Sequence, residues 1–295
     1  MTTTHGTFSI AAADLEAGEV GCAVQSKYFA VGAVVPWVRA GIGAVATQAA
    51  GVAVYGEQAL GHLARGASPE EALAEVLADD PGRETRQLGV VAADGRAAAF
   101  TGAECLGWAG HRIGSGFAVQ GNILAGHAVV DAMARAYEEA VGPLVHRLVA
   151  ALEAGQAAGG DRRGQQSAAV VVERVGARSE SREGIDRVCD LRVDDHPQPI
   201  AELRRLVSIW TSWDVQRRAH VHYERGDYAA AADTLAGCGD DPTSLYNRAC
   251  YAVLAGRRAD ALADLREAIS LDPSYRDLAA RDGDLESIRA DVAQL

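Results

Sequence analysis

A glycine–threonine pair, Gly6-Thr7, stands directly before the first apolar stretch of the chain. A threonine at the start of a chain can act as a nucleophile, because its own α-amine, with a pKa of about 8, serves as the base for its hydroxyl. That chemistry requires a free amine, so the residues before Thr7 would have to be removed. Threonine is also favoured in strands, and a purely structural role for Thr7 stays open.

Polar side chains follow several apolar stretches that we predict to be strands. Strand ends are places where a sheet can hold polar groups rigidly around one spot. A lysine there could polarise a nucleophile, neutralise a substrate carboxylate, or simply be solvated. Amide side chains and backbone N–H groups there could stabilise an oxyanion, although Gly-Asn pairs are also common in tight turns. The candidate segments are Gln25-Ser26-Lys27, Thr47-Gln48, Thr101-Gly102 and Gln120-Gly121-Asn122.

A polar, glycine-flanked loop, Asp161-Arg162-Arg163-Gly164-Gln165-Gln166-Ser167, leads into an apolar run. A loop placed at the entrance to a buried strand favours ligand binding, and an ordinary charged loop is the alternative. Within it we name Asp161 and Arg162 as candidates for substrate binding.

A short acidic segment, Asp194-Asp195-His196, could hold a metal ion or orient the histidine ring. No further ligand set stands at a recognisable spacing, and a turn ahead of Pro197 explains the same residues. No GxGxxG or Walker loop follows a predicted strand. We therefore predict no metal, no cofactor and no nucleotide-dependent mechanism.

Apolar runs separated by turn residues predict the strands that would position these side chains. An Asp-Leu-Glu-Ala-Gly-Glu turn joins residues 7–13 to 19–25, and an Ala-Asp-Gly turn joins 87–92 to 96–101, which predicts two hairpins. Further strands are predicted at residues 31–35, 42–47, 168–175 and 187–193.

Helices are predicted between the groups of strands. Ser68 and Glu71 have the spacing of a capping box at the start of one of them. The order strands, helices, strands, helix, strands favours an α+β fold, with two stacked antiparallel sheets and helices on both outer faces, over a doubly wound parallel sheet. We assign residues 1–213 to this domain. The predicted helices cover residues 55–65, a segment after Ser68, residues 125–154, which Gly142-Pro143 could interrupt, and residues near 199–213.

From about residue 214 the pattern is helical throughout. The segment from Tyr223 to Gly226 recurs as Val253 to Gly256, and in both copies a small residue follows the glycine by five positions and a leucine by nine. This spacing is typical of helix–turn–helix repeats, and the region resembles a tetratricopeptide repeat. About one and a half repeats cannot bury their apolar faces alone. We therefore expect residues 214–295 to pack on the first domain, to close a homo-oligomer or to bind a partner protein.

Composition restricts the classes of partner and the compartment. The chain has 40 acidic and 28 basic residues, a formal net charge of −12, which argues against nucleic acids and anionic membrane surfaces. Five scattered cysteines without CxxC spacing fit a reducing compartment. The N-terminal residues lack the pattern of a signal peptide, and no apolar run approaches the roughly eighteen residues of a membrane span. We expect a soluble, cytoplasmic protein.

Four long segments carry a family resemblance: FSIAAADLEAGEVGCAVQSKYFAVGAVVPWVRAGIGAVATQA, RQLGVVAADGRAAAFTGAECLGWAGHRIGSGFAVQGNILAG, GGDRRGQQSAAVVV and LRVDDHPQPIAELRRL. Over residues 7–212 the chain resembles the domain of unknown function 1028 family. The resemblance implies the four-layer αββα fold of the N-terminal-nucleophile (Ntn) hydrolases, and through that fold it implies amide-bond hydrolysis.

The chain departs from the family at its first residues. Some similar members have Met directly before the Thr-Phe-Ser-Ile strand, so that removal of Met alone would free the threonine amine. Here the matching Thr7 follows MTTTHG, and autoproteolysis at Gly6-Thr7 would be required. Some relatives of this fold also act without a processed nucleophile.

The leading hypothesis is a hydrolase of a small amide or cyclic amide. Thr7 would be the nucleophile, Lys27 would tune it beside Ser26, and Gln120 to Asn122 or Thr101-Gly102 would stabilise the oxyanion. We expect Thr7, Ser26, Lys27, Thr47 and Gln120 to line one cleft. The alternatives are a binding or scaffold protein whose helical tail docks a partner, and a cyclohydrolase that acts on the uncleaved chain.

Overall fold

The computed structural model of the chain describes residues 6–177, 184–237, 239 and 241–295. The chain divides into two compact units, Met1–Val207 and Ser208–Leu295. The first unit is mixed α/β with antiparallel sheets, and the second is helical in its described residues. The predicted boundary at residue 213 falls inside one long helix, α5, Pro199–Glu224.

Within its described residues, the first unit has ten strands in two antiparallel sheets. The strands are β1 (Thr7–Asp14), β2 (Glu19–Ser26), β3 (Pro36–Arg39), β4 (Gly43–Ala49), β5 (Arg86–Ala92), β6 (Ala97–Thr101), β7 (Trp108–Gly114), β8 (Phe117–Leu124), β9 (Ser167–Arg174) and β10 (Arg187–Val193). The larger sheet has the order β10-β9-β2-β1-β8-β7, and the smaller has the order β3-β4-β5-β6. The two sheets pack face to face, with β1 and β2 against β4 and with β8 against β5.

Helices pack on the outer face of each sheet. The helices α1 (Val54–Ala64) and α2 (Pro69–Leu77) cover the smaller sheet, and α3 (Ala128–Glu139) and α4 (Leu144–Ala157) cover the larger one. The predicted capping box is confirmed, because Ser68 Oγ accepts from the Glu71 N–H at 3.1 Å while the Glu71 carboxylate accepts from the Ser68 N–H at 2.7 Å. These contacts define where α2 begins.

Short apolar side chains fill much of the space between the sheets. They come from alternate positions of β1, β2, β4, β5 and β8, because successive side chains of a strand point to opposite faces. Alanine and valine dominate the cluster, and such small side chains allow the two sheets to approach closely. The buried residues include Ala11, Ala13, Val20, Cys22, Val24, Ala44, Ala46, Val91 and Ala118.

The predicted elements differ from the structure in one strand and in the description of two others. The prediction of a strand at residues 31–35 is wrong: Val31–Ala33 is a 3₁₀ turn, and the Val31 N–H donates to Ser167 Oγ at 3.0 Å instead of joining a ladder. The strand β7 was not predicted, and β8 was indicated only by the apolar stretch that ends at Gln120 to Asn122, since Gly110, Gly114 and Gly121 interrupt the apolar pattern. The interruption expected at Gly142-Pro143 is present: α3 and α4 are separated where Gly142 adopts a positive φ of 94°.

The second unit begins within α5 and continues through α6 (Tyr228–Leu235), α7 (Pro242–Leu254), α8 (Arg258–Leu271), α9 (Ser274–Ala279) and α10 (Arg289–Val292). The two predicted repeat copies form the same turn. Gly226 and Gly256 have φ of 76° and 78°, and their N–H groups donate to the carbonyls three residues earlier at 2.9 Å. Glycine is favoured there because a helix commonly ends in the left-handed conformation. Among the described residues, no helix is long and apolar enough to cross a membrane.

Candidate active site

Polar side chains gather at one end of the space between the sheets. Thr7 opens β1 and lies opposite Ser26, the last residue of β2, and opposite Asn122 near the end of β8. In the other sheet, Gln48 near the end of β4 lies opposite Gln87 near the start of β5. Because all these strands run antiparallel, the ends that carry polar residues meet at one edge. The buried polar residues there are Thr7, Ser9, Ser26, Thr47, Gln48, Gln87, Gln120 and Asn122.

The carbonyl group that precedes Thr7 is held by two donors. The Thr7 hydroxyl donates to Ser26 Oγ at 3.0 Å, and the Ser26 hydroxyl donates to the Gly6 carbonyl oxygen at 2.5 Å. Arg163 Nη2 donates to the same oxygen at 2.7 Å. Hydrogen bonds from a charged donor are stronger than neutral ones, so the guanidinium polarises this carbonyl.

A buried carboxylate fixes Arg163 in this position. Arg163 donates from Nε to Asp161 Oδ1 at 3.1 Å and from Nη2 to Oδ2 at 2.8 Å, and the Asp161 side chain is completely buried. The backbone N–H of Lys27 also donates to Asp161 Oδ2, at 3.1 Å. A buried charge requires this degree of pairing to offset its lost hydration. A Cβ at Gly6 would lie 2.7–2.8 Å from the Asp161 carboxylate, so the backbone can approach only because this residue is glycine.

Amide side chains connect the two sheets behind Thr7. Gln48 Nε2 donates to the Thr7 carbonyl at 3.3 Å and to Gln87 Oε1 at 2.9 Å, while Gln48 Oε1 accepts from the Ser9 hydroxyl at 2.6 Å. Gln120 Nε2 donates back to Ser9 Oγ at 2.7 Å. The network therefore leaves little rotational freedom to the residues that surround Thr7.

Gln87 is the centre of the amide network. Its Oε1 accepts from Gln48 and from Asn122 Nδ2 at 3.0 Å, and its Nε2 donates to the Gly121 carbonyl at 2.8 Å and to Thr101 Oγ1 at 3.0 Å. Since Thr101 Oγ1 accepts that bond, its own hydrogen is free to be donated to His111 Nδ1, 2.9 Å away. Partial burial lowers the pKa of His111, which favours the neutral ring that this bond requires.

Backbone strain is also concentrated here. Among the described residues, the non-glycine residues with positive φ are Ala30, Ala49 and Ile123. Each is next in sequence to a residue of the site or its pocket: Val31, Gln48 and Asn122 respectively. Left-handed conformations of this kind cost of the order of 1 kcal/mol and cluster at functional sites.

A pocket of about 180 Å³ opens beside Thr7. Thr47 and Gln48 line it together with apolar side chains that include Val31, Val35 and Ala53. A nucleophile at Thr7 would therefore border a cavity large enough for part of a small molecule.

The structure separates some of the predicted site residues from Thr7. Lys27 is exposed, and its ammonium donates to the Gln165 carbonyl at 3.2 Å, so its contact with the site runs through its backbone N–H. Gln25 lies on the face of β2 opposite to Ser26, where its buried amide has no partner among the described atoms. Arg162 is exposed, and its neighbour Arg163 makes the contacts described above.

The predicted oxyanion donors are engaged within the protein. Gln120 Nε2 and Asn122 Nδ2 donate to Ser9 and Gln87, and the Gly102 N–H donates to the Arg86 carbonyl at 3.0 Å. The Gly121 carbonyl accepts from Gln87, and Thr101 bonds His111. These residues build the wall of the site, whereas the donors that reach the carbonyl before Thr7 are Ser26 and Arg163.

Three residues of the site were not predicted: Ser9, Gln87 and Arg163. Ser9 has a sequence signal, since it is two positions after Thr7 and must share its face of a strand. Gln87 and Arg163 depend on pairings between distant segments. In the parts of the chain that the structure describes, no group of three His, Cys, Asp or Glu side chains is placed to hold a metal ion.

Comparisons with known proteins support the chain's assignment to one family. The model of a family described as "Family of unknown function (DUF1028)" matches residues 7–203. A crystal structure of a Silicibacter pomeroyi protein, described by the same family model, is 33% identical with a TM-score of 0.63, and the match covers 72% of this chain and 94% of that one. Curated proteins provided no significant match.

Proposed function

The chain belongs to the DUF1028 family, and we propose that it hydrolyses the amide bond of a small linear or cyclic molecule with Thr7 as an N-terminal nucleophile. We propose further that the first unit has the αββα fold of the Ntn hydrolases. The order of its layers supports this: α1 and α2, the smaller sheet, the larger sheet, then α3 and α4.

The observation that carries the proposal is the environment of the Gly6 carbonyl. The hydroxyl groups of Thr7 and Ser26 form a chain that ends on this oxygen, and Arg163 donates to it as well. This arrangement supports attack by Thr7 Oγ1 on the Gly6 carbonyl carbon. The Thr7 proton would pass through Ser26 to the carbonyl oxygen, while the guanidinium stabilises the developing charge.

Cleavage would then follow in two balanced steps. The proton on the former Gly6 carbonyl oxygen transfers to the Thr7 nitrogen as the Gly6–Thr7 C–N bond breaks, which re-forms the carbonyl and leaves Gly6 esterified to Thr7 Oγ1. Water hydrolyses that ester and releases a Gly6 carboxylate and a Thr7 with a free amine. That amine is the base that an N-terminal threonine needs for attack on a second, external amide.

The same donors have a role in the second reaction. Once residues 1–6 have left, the positions of Ser26 Oγ and Arg163 Nη2 suit the carbonyl oxygen of a bound amide. Lys27 contributes through the backbone N–H that holds Asp161, and Asp161 in turn orients Arg163. Arg163 is thus a candidate catalytic residue, and Asp161 a positioning residue.

Ammonia release from a panel of small primary amides, together with ring opening of small lactams, tests the proposed activity. We expect turnover of at least one compound by the wild-type chain and none by Thr7→Ala. Thr234→Ala in the second unit, whose hydroxyl donates to the Ala230 carbonyl of its own helix, is the matched control and should keep full activity. Equal turnover by Thr7→Ala and the wild type would contradict the assignment of the nucleophile.

For the second unit we propose a tetratricopeptide-like module that binds a partner protein or a second copy of the chain. The equivalent turns at Gly226 and Gly256 support the repeat. The residues that follow each glycine by five and nine positions, Ala231 with Leu235 and Ala261 with Leu265, are all buried in the core of this unit, which covers these side chains itself, contrary to the expectation from the sequence. Removal of residues 214–295, followed by measurement of subunit number and thermal midpoint, tests this role.

A further inference from the structure

The pocket beside Thr7 has an apolar wall. Val31, Val34, Val35, Ala49 and Ala53 contribute to it, and none of the described residues that line it is charged. Val31 and Val35 are 1% and 4% exposed, so their side chains are fixed by the surrounding core.

The polar side chains that line the pocket are those of Thr7, Tyr28, Thr47 and Gln48, and the last two are engaged within the protein. Gln48 Nε2 donates to Thr7, Gln87 and Gln120, and Gln48 Oε1 accepts from Ser9. The Thr47 hydroxyl donates to the Val52 carbonyl at 3.3 Å. Neither side chain therefore has a free N–H or O–H for a bound group. A charged occupant would meet no charged partner among the described residues that line the pocket and would lose part of its hydration, whereas an aliphatic one has no such cost.

The volume limits the size of the occupant. An apolar cavity of about 150 Å³ is known to hold benzene, so a pocket of about 180 Å³ accommodates about six carbon atoms. A longer chain would have to extend beyond the pocket.

We propose that this pocket binds the acyl side of the substrate and selects an uncharged, compact aliphatic group of about six carbon atoms or fewer. This inference rests on the proposed function of Thr7, because the pocket is an acyl site only if Thr7 attacks the carbonyl next to it. It assigns the specificity of the reaction to the Val31–Val35 side of the cavity and to the first residues of α1.

A pair of isosteric probes tests the inference by calorimetry. 4-Methylpentanamide carries an isopropyl group where succinamate carries a carboxylate. Binding is measured on a Thr7→Ala chain that begins at residue 7, because an uncleaved chain would keep the Gly6 carbonyl on Ser26 Oγ and Arg163 Nη2. This chain has no hydroxyl at position 7 and does not hydrolyse the probe. We expect 4-methylpentanamide to bind at least tenfold more tightly than succinamate.

Variants at the rim identify the pocket as the binding site. Ala53 lies in α-helical conformation, with φ −57° and ψ −39°, and a leucine there is compatible with the backbone and fills the cavity. Ala53→Leu should weaken 4-methylpentanamide binding at least tenfold. Ala64→Leu, at the exposed far end of the same helix, should leave it unchanged.

The possible results distinguish failure of the proposed pocket selectivity from failure of the proposed hydrolase activity. Succinamate binding as tightly as 4-methylpentanamide, or unchanged affinity in Ala53→Leu, would overturn the acyl-group assignment. The expected binding pattern without ammonia release from any amide by the wild type would support the pocket's selectivity and count against the hydrolase function.

Discussion

The two ends of the space between the sheets are built from the same strands but from opposite kinds of side chain. Along β1 the interior-facing residues are Thr7 and Ser9 at one end and Ala11 and Ala13 at the other. The same change occurs along β2, from Cys22 to Ser26. At the same end, the strands β4, β5 and β8 also carry buried polar side chains, namely Gln48, Gln87, Gln120 and Asn122.

This difference shows where the fold departs from what stability alone would favour. The alanine and valine end requires only close packing, whereas each buried amide must find hydrogen bonds to offset its desolvation. The strained residues Ala30, Ala49 and Ile123 also lie around the polar end and its pocket. Retaining costly groups at one end of an otherwise apolar interface is typical of a functional site.

The largest loss of stability is expected from a substitution at the buried ion pair of the polar end. Arg163→Met leaves the fully buried Asp161 carboxylate without its partner and should lower the free energy of unfolding by about 3 kcal/mol. Urea denaturation followed by circular dichroism measures the change. The double variant Asp161→Asn/Arg163→Met should recover most of the loss. A double variant as unstable as the single one would show that the cost does not come from an unpaired charge.

Loss of the central amide should have the next largest effect. Gln87→Leu keeps the approximate volume but leaves Gln48, Asn122 and the Gly121 carbonyl with unmade hydrogen bonds. We expect a loss of about 2–3 kcal/mol in the free energy of unfolding. Gln58→Leu on the exposed face of α1 is the matched control and should change stability by less than about 0.5 kcal/mol. Similar small changes in both variants would mean that the network contributes little.

The converse substitution introduces a polar group at the apolar end. Cys22 is completely buried, which raises the pKa of its thiol and marks its surroundings as apolar. Cys22→Ser places a hydroxyl there and should cost about 2 kcal/mol. Cys22→Ala separates the effect of polarity from that of lost volume, and it should cost less than Cys22→Ser. A serine variant as stable as the wild type would contradict the contrast between the two ends.

The smallest expected effect is on the pH dependence of stability, through His111 at the outer edge of the amide network. Partial burial lowers the pKa of His111 below its usual value of about 6.5. As the pH falls through 6.5, the unfolded chain therefore takes up a proton before the folded chain does, and stability decreases. His111→Gln should show a shallower fall in thermal midpoint between pH 7.5 and 5. An NMR titration of the ring at or above 6.5 would refute this account.

Local signals in the sequence predicted most elements but only part of the site. The capping box at Ser68, the hairpins around residues 14–19 and 92–97, and the repeat turns at Gly226 and Gly256 each depend on residues close in sequence. The turn at Val31 was misjudged because a contact with the distant Ser167 replaces strand pairing.

Site residues were likewise predicted where the signal was local and missed where it depended on distant segments. Thr7, Ser26, Gln48 and Asp161 were named from their positions at strand ends and in a glycine-flanked loop. The choice of Arg163 over Arg162 depends on which side chain faces Gly6 in the folded chain, more than 150 residues away in sequence. Composition and spacing contain no information on that geometry.

The intact mass of the purified full-length protein tests the central claim most directly. If the polar end acts on the Gly6–Thr7 bond, the wild-type chain loses residues 1–6 and begins at Thr7, while Thr7→Ala retains Gly6. Incubation at neutral pH should drive the wild-type conversion to completion. A wild-type chain that still contains the Gly6–Thr7 bond after prolonged incubation, with the fold intact by circular dichroism, would contradict the claim that Thr7 is an N-terminal nucleophile.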